Sequence, residues 1–162
     1  MINNNFRRWR TIVLLFLFLV MITFTILSTS NQQIPAALLG GQEQPSPTDW
    51  VSEKQIKVYP DRVILDVPHA LWAGFTNTNS MDPLLDEQSN ALEIKPDSGE
   101  QIQVGDVIAY KTNLGVIIHR VIEKNLDSEG IYYTVKGDNS TFADPVKVRF
   151  ADVQGVVVAV IY

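Results

Sequence analysis

The sequence predicts a mainly β domain carried on one N-terminal transmembrane helix. Three observations carry that expectation. A single uncharged apolar run stands near the N-terminus, a Gln-, Pro- and Gly-rich stretch follows it, and the remainder is dense in Val, Ile, Tyr and Phe. At 162 residues the chain is about one domain's worth, and its 46% of hydrophobic residues are concentrated in these blocks.

The apolar run is "TIVLLFLFLVMITFTILS", Thr11 to Ser28, with neither charge nor proline. At about 1.5 Å rise per residue it spans roughly 27 Å, close to the hydrocarbon thickness of a bilayer. A helix apolar on every face has no role on the surface of a water-soluble domain. Arg7, Arg8 and Arg10 precede the run, and the first acid is Glu43. The excess of arginine keeps residues 1–10 in the cytoplasm and sends everything after Ser28 across the membrane. A cleaved signal peptide is the rival. Its apolar core would be shorter, about 7–15 residues, and "LSTSNQQ" is a poor small-x-small site. Both readings place the rest of the chain outside the cytoplasm.

Residues 29–49, "TSNQQIPAALLGGQEQPSPTD", show no sustained period and read as a linker. From Trp50 the pattern is β, and residues 50–162 form the expected extracytoplasmic domain. "KQIKVY" and "RVILDV" flank a Pro60-Asp61 turn pair and predict a hairpin. "ALEIK", "DVIAYKT", "GVIIHRVIEK", "IYYTVKG", "VKVRF" and "GVVVAVIY" follow, each bounded by turn residues. The longest two predict a hairpin with "NLDSEG" at its tip. "SMDPLLDE" predicts one short helix or turn, because Asp82-Pro83 can open a helix.

Composition excludes several functions. All eighteen acids and only ten of the thirteen basic residues lie beyond Ser28, so the domain is acidic and unsuited to nucleic acid. With no cysteine there is no disulfide framework, thiolate nucleophile or Cys-ligated metal.

Three polar clusters need explanation. His119 lies in "GVIIHRVIE" and shares one strand face with Ile117 and Val121, while Arg120 points the other way. It is either a core imidazole with both nitrogens satisfied or a general base. "VKGDNSTFADP", Val135 to Pro145, is either a solvated hairpin loop or the source of a carboxylate that holds the second imidazole nitrogen. Ser80 in "NTNSMDP" is either a turn residue or a nucleophile. The second histidine, His69 in "DVPHAL", follows a proline at a strand end.

In order, "NSMDP", "VGDVIAY", "IIHRVIE" and "KGDNS", with a further Asp six residues after the first, resemble signal peptidase I. The resemblance is to its archaeal and endoplasmic-reticulum branch and covers roughly Asn77 to Gly155. It implies a coiled antiparallel β domain hung from a membrane helix, acting as a serine endopeptidase that removes signal peptides from exported precursors. Ser80 then matches the nucleophile, and His119 matches the general base, where the bacterial branch has lysine. Asp144 matches the orienting carboxylate, and Asp138 the acid that supports its loop. Gly105 and Asp106 match a fold motif. Asn79 and Met81 flank the substrate and oxyanion neighbourhood, with Asn79 standing where the branch usually has glycine. The resemblance implies no cofactor and no metal, and signal-peptide-bearing precursors and membrane lipid as partners. A catalytically inactive tethered β module and a dedicated processor of one precursor are the alternatives.

Overall fold

The computed structural model describes Trp9, residues 13–22 and residues 43–162. The chain divides into two compact units, Met1–Glu43 and Gln44–Tyr162. In the first, residues 13–22 are helical and every one is exposed. Among the described residues no helix is long and apolar enough to cross a membrane. The ends of the expected anchor, 11–12 and 23–28, lie outside the described residues, as do the basic tail apart from Trp9 and the linker through Gln42.

The second unit is mainly β, and all its strand pairings are antiparallel. β1 (Ile56–Val58) and β2 (Val63–Leu65) form the expected hairpin as a separate two-stranded sheet. Gln55 and Asp66 close its base: the Asp66 N–H donates to the Gln55 carbonyl at 2.8 Å, and Gln55 Nε2 to the Asp66 carbonyl at 2.7 Å.

The remaining strands are β3 (Leu71–Gly74), β4 (Asn90–Ile94), β5 (Val107–Thr112), β6 (Gly115–Asp127), β7 (Gly130–Lys136), β8 (Val148–Arg149) and β9 (Val153–Ile161). They make one sheet in the order β3-β4-β9-β5-β6-β7-β8. β9, last in sequence, lies between β4 and β5 and so joins the two halves.

The sheet is covered on both faces, which explains why β5 is buried on successive residues rather than alternate ones. One core gathers Ile108, Tyr110, Val121, Tyr133, Val135 and Val156. The other gathers Met81, Leu85, Ala91, Val107 and Val157. Each fully buried Val or Ile contributes about 1.5–3 kcal/mol by leaving water.

The structure corrects the expected elements at three places. "LWAG" is a strand, β3, where none was expected. "VKVRF" gives only the two residues of β8 before a 3-10 turn at Phe150–Asp152. The long hairpin turns at Ser128-Glu129 rather than through all of "NLDSEG", because β6 stays paired with β7 to Asp127 and Gly130 takes φ 107°. "SMDPLLDE" takes the turn of the two forms expected there, with a cis bond at Asp82-Pro83.

The domain also begins earlier than Trp50. The Thr48 N–H donates to Asp106 Oδ1 at 2.7 Å, and Trp50 Nε1 to the same oxygen at 3.1 Å. A side chain at Gly105, which has φ 105°, would run into the Ser46 carbonyl. Only glycine permits both that angle and that approach. The end of the expected linker is therefore packed onto the domain.

Candidate active site

Ser80 is placed by its neighbours. Asn79 has φ 56°, the left-handed region that asparagine tolerates better than most residues. That kink turns the chain so that Met81 and Leu85 enter the second core, each 4% exposed. The Met81 carbonyl accepts the Leu84 and Leu85 N–H groups at 2.9 and 3.0 Å, closing a tight turn. Ser80 therefore stands at the start of an anchored segment.

His119 is placed by β6. It pairs with Ile108 of β5 and is 8% exposed. Its Nε2 lies 3.2 Å from Ser80 Oγ, and its Nδ1 lies 2.8 Å from Asp144 Oδ2. Asp144 is itself fixed, since its backbone N–H donates to the Val135 carbonyl at 2.8 Å. Three residues from separate parts of the chain thus form one hydrogen-bonded line. With Nδ1 donating to the carboxylate, Nε2 is left as the acceptor facing Ser80, the tautomer a proton-accepting imidazole needs.

The loop after β7 links these parts. The Asn139 N–H donates to the Ser80 carbonyl at 3.0 Å, and Asn139 Nδ2 to the Asn79 carbonyl at 2.9 Å. The Asp138 N–H points to Met81 Sδ at 3.4 Å. A Cβ at Gly137 would collide with the Ser80 carbonyl and come 3.0 Å from His119 Nε2. Glycine is required here by close approach.

Asp138 does not join the line to Ser80. Its two oxygens accept Arg120 Nε and Nη2, both at 2.7 Å. Arg120 Nη1 also donates to the carbonyls of Gly105 at 2.8 Å and Pro45 at 3.1 Å. One buried guanidinium therefore joins the Asp138 loop, the Gly105 turn and the start of the domain. Such a bidentate pair is strong and directional.

Three further residues, given no site role by the sequence, stand beside this line or line the cleft next to it. The Tyr110 hydroxyl donates to Asp144 Oδ2, the same oxygen that faces His119. Burial, then the bond to Asp144, pushes the Tyr110 hydroxyl far above the usual tyrosine range, so it stays a donor. Thr78 Oγ1 lies 3.2 Å from Ser80 Oγ. Glu93 on β4 is 6% exposed, and its Oε1 has no hydrogen-bond partner. Burial pushes its carboxyl above the ordinary 4.5. A buried acceptor left unpaired costs about 1–3 kcal/mol.

A cleft of about 600 Å³ opens beside Ser80 and His119. Ala73, Gly74 and Ala109 keep part of its wall small, while Phe75, Met81 and Ile118 make it apolar. Two irregularities of β9 border it. The pairing with β4 shifts between Leu92 and Glu93, and that with β5 between Ala109 and Tyr110. Such bulges bend a strand and re-aim side chains. His69 lies elsewhere, before β3 with φ 57°, and does not line the cleft. Among the described residues no cluster of His, Asp and Glu could hold a metal ion.

The chain matches no family model, no curated protein and no solved structure. Its functional reading therefore rests on its own geometry.

Proposed function

We propose that this chain is a membrane-anchored serine endopeptidase of signal-peptidase type that removes signal peptides from exported precursors. The observation that carries the reading is the line Ser80 Oγ, His119 Nε2, His119 Nδ1, Asp144 Oδ2, at 3.2 and 2.8 Å.

A serine hydroxyl is a weak nucleophile and must lose its proton as it attacks. Ser80 Oγ bonds to the substrate carbonyl carbon while His119 Nε2 accepts the proton. Asp144 stabilises the imidazolium and holds its ring. When the C–N bond breaks, His119 gives that proton to the departing amine, leaving an acyl ester on Ser80. Water, deprotonated by the same imidazole, then attacks the ester, and the proton returns to Ser80. The Thr78 hydroxyl and the backbone N–H of Ser80 are the donors assigned to the oxyanion. Losing one such donor typically costs about 10²–10³ in rate.

The cleft suits the substrate class. Its small wall residues favour small side chains, the requirement of the A-x-A pattern at signal-peptide cleavage sites. The apolar run Thr11 to Ser28 supports the anchor, and the arginines before it support an extracytoplasmic active site. Tethering raises the effective concentration of protease at the membrane face where cleavage sites emerge. The inactive-module alternative has less support, because Asn79 supplies the backbone angle and Ser80 stays within reach of His119.

The test is processing of a signal-peptide-bearing precursor by the full chain in lipid vesicles, with the N-terminus of the product identified. Wild type cuts after a small residue, and Ser80→Ala yields no product. Equal processing by Ser80→Ala overturns the reading.

A further inference from the structure

We propose that Glu93 is a specificity-determining residue, its carboxyl group at the wall of the Ser80 cleft hydrogen-bonding a hydroxyl-bearing side chain of the substrate. The inference rests on the endopeptidase reading and adds a polar demand to the size selection made by the small wall residues.

The cleft that holds Ser80 and His119 is lined mostly by apolar and small residues, with Thr76, Thr78 and Gln154 among them, and Glu93 supplies its one carboxyl group among the described residues. Glutamate is almost never fully buried without a partner. Glu93 is 6% exposed, its Oε1 is unpartnered, and among the described residues no ion pair reaches it. The fold makes room for it. A Cβ at Gly155 would come 2.9 Å from Glu93 Oε2 and 3.0 Å from Glu93 Cβ, so glycine there clears the carboxyl's space. The β4–β9 register shift falls at Leu92/Glu93, setting this side chain's aim apart from the regular ladder.

What such a group lacks is a donor. The last torsion of a glutamate is broad, so a small rotation turns Oε1 toward the cleft. A cation is disfavoured, because burial favours the neutral carboxyl and the apolar lining would have to desolvate a second charge. A serine or threonine hydroxyl fits: it is small enough for the wall of Ala73 and Ala109, donates to Oε1 and accepts in return.

The experiment uses the full chain in lipid vesicles with peptides that differ at one position at a time around the scissile bond. Each position carries serine, lysine or the isosteric apolar residue 2-aminobutyrate. At one position wild type should prefer serine over 2-aminobutyrate by about tenfold in kcat/KM. Glu93→Gln, which keeps a carbonyl acceptor, should retain most of that ratio, and Glu93→Met should bring it close to one. Cleavage without any serine preference, or a ratio unchanged in Glu93→Met, overturns this inference and leaves the endopeptidase reading standing. A preference for lysine over serine overturns the hydroxyl assignment. No cleavage of any peptide by wild type overturns the endopeptidase reading and this inference together.

Discussion

The residues around His119 divide the work of holding one imidazole. Asp144 faces Nδ1, and Tyr110 donates to the same carboxylate oxygen. In the proposed reaction Tyr110 is therefore a positioning residue, acting through Asp144. Tyr110→Phe removes one donor with little change of shape, and stability should fall by about 1 kcal/mol in urea unfolding. The rate of peptide cleavage should fall as well, with the loss in kcat rather than KM. Asn79 is placed by its backbone. Asn79→Gly should keep both stability and cleavage, because glycine takes φ 56° freely. Asn79→Val should lower stability by about 1–3 kcal/mol, since a β-branched side chain resists that angle. Thermal unfolding of the two variants checks the pair, and equal stabilities would contradict the backbone argument.

Among elements, β6 supplies both His119 and Arg120. His119 on one face meets Asp144, and Arg120 on the other meets Asp138. Arg120 should be the costlier to lose for the fold. Arg120→Met leaves Asp138 buried and unpaired, and losing one partner of such a pair costs about 3–5 kcal/mol. Urea unfolding of Arg120→Met beside Lys124→Met, a half-buried position on the same strand with no ion pair among the described residues, measures the difference. The β1–β2 hairpin is the opposite case, a two-stranded sheet with exposed strands and marginal by itself. Its amides should exchange with solvent well before those of β5, which is paired on both sides. Protection of Lys57 equal to that of Ile108 would contradict this.

These elements also show what sequence conveys and what it withholds. β5, β6, β7 and β9 were legible because Val, Ile and Tyr runs end at turn residues. β3 was not, since "LWAG" is short, follows Pro68-His69 and ends on glycine. Its strand character comes from pairing with β4. Ser80, His119 and Asp144 were legible only as ordered blocks resembling a family, and the structure brings His119 within hydrogen-bonding distance of both Ser80 and Asp144. Tyr110 and Glu93 were missed for a physical reason. Tyr110 meets Asp144 across 34 positions of chain, and Glu93 has meaning only through the cleft it lines. The Arg120 clamp escaped notice likewise, because its partners come from three loops.

At the scale of the whole molecule, charge is handled at the surface. Arg149 and then Lys147 hold the Asp127 carboxyl well below its ordinary 3.8. A carboxylate with a lowered folded pKa stabilises the fold above its unfolded value and loses that contribution as pH falls through its folded one. Asp127→Asn should therefore lower Tm at neutral pH, with the difference from wild type shrinking as pH drops below about 4. An unchanged difference across that range would show that the pair acts by packing rather than charge. The same scale holds the central claim, because the proposed chemistry exists only when distant parts of the chain act as one unit. The most direct measurement is a double-mutant cycle on precursor cleavage with Ser80→Ala, His119→Ala and the double variant. If hydroxyl and imidazole work together, each single change costs at least about 10³ in kcat and the double costs no more than either. Losses that add, or a single variant that cleaves like wild type, would contradict the account.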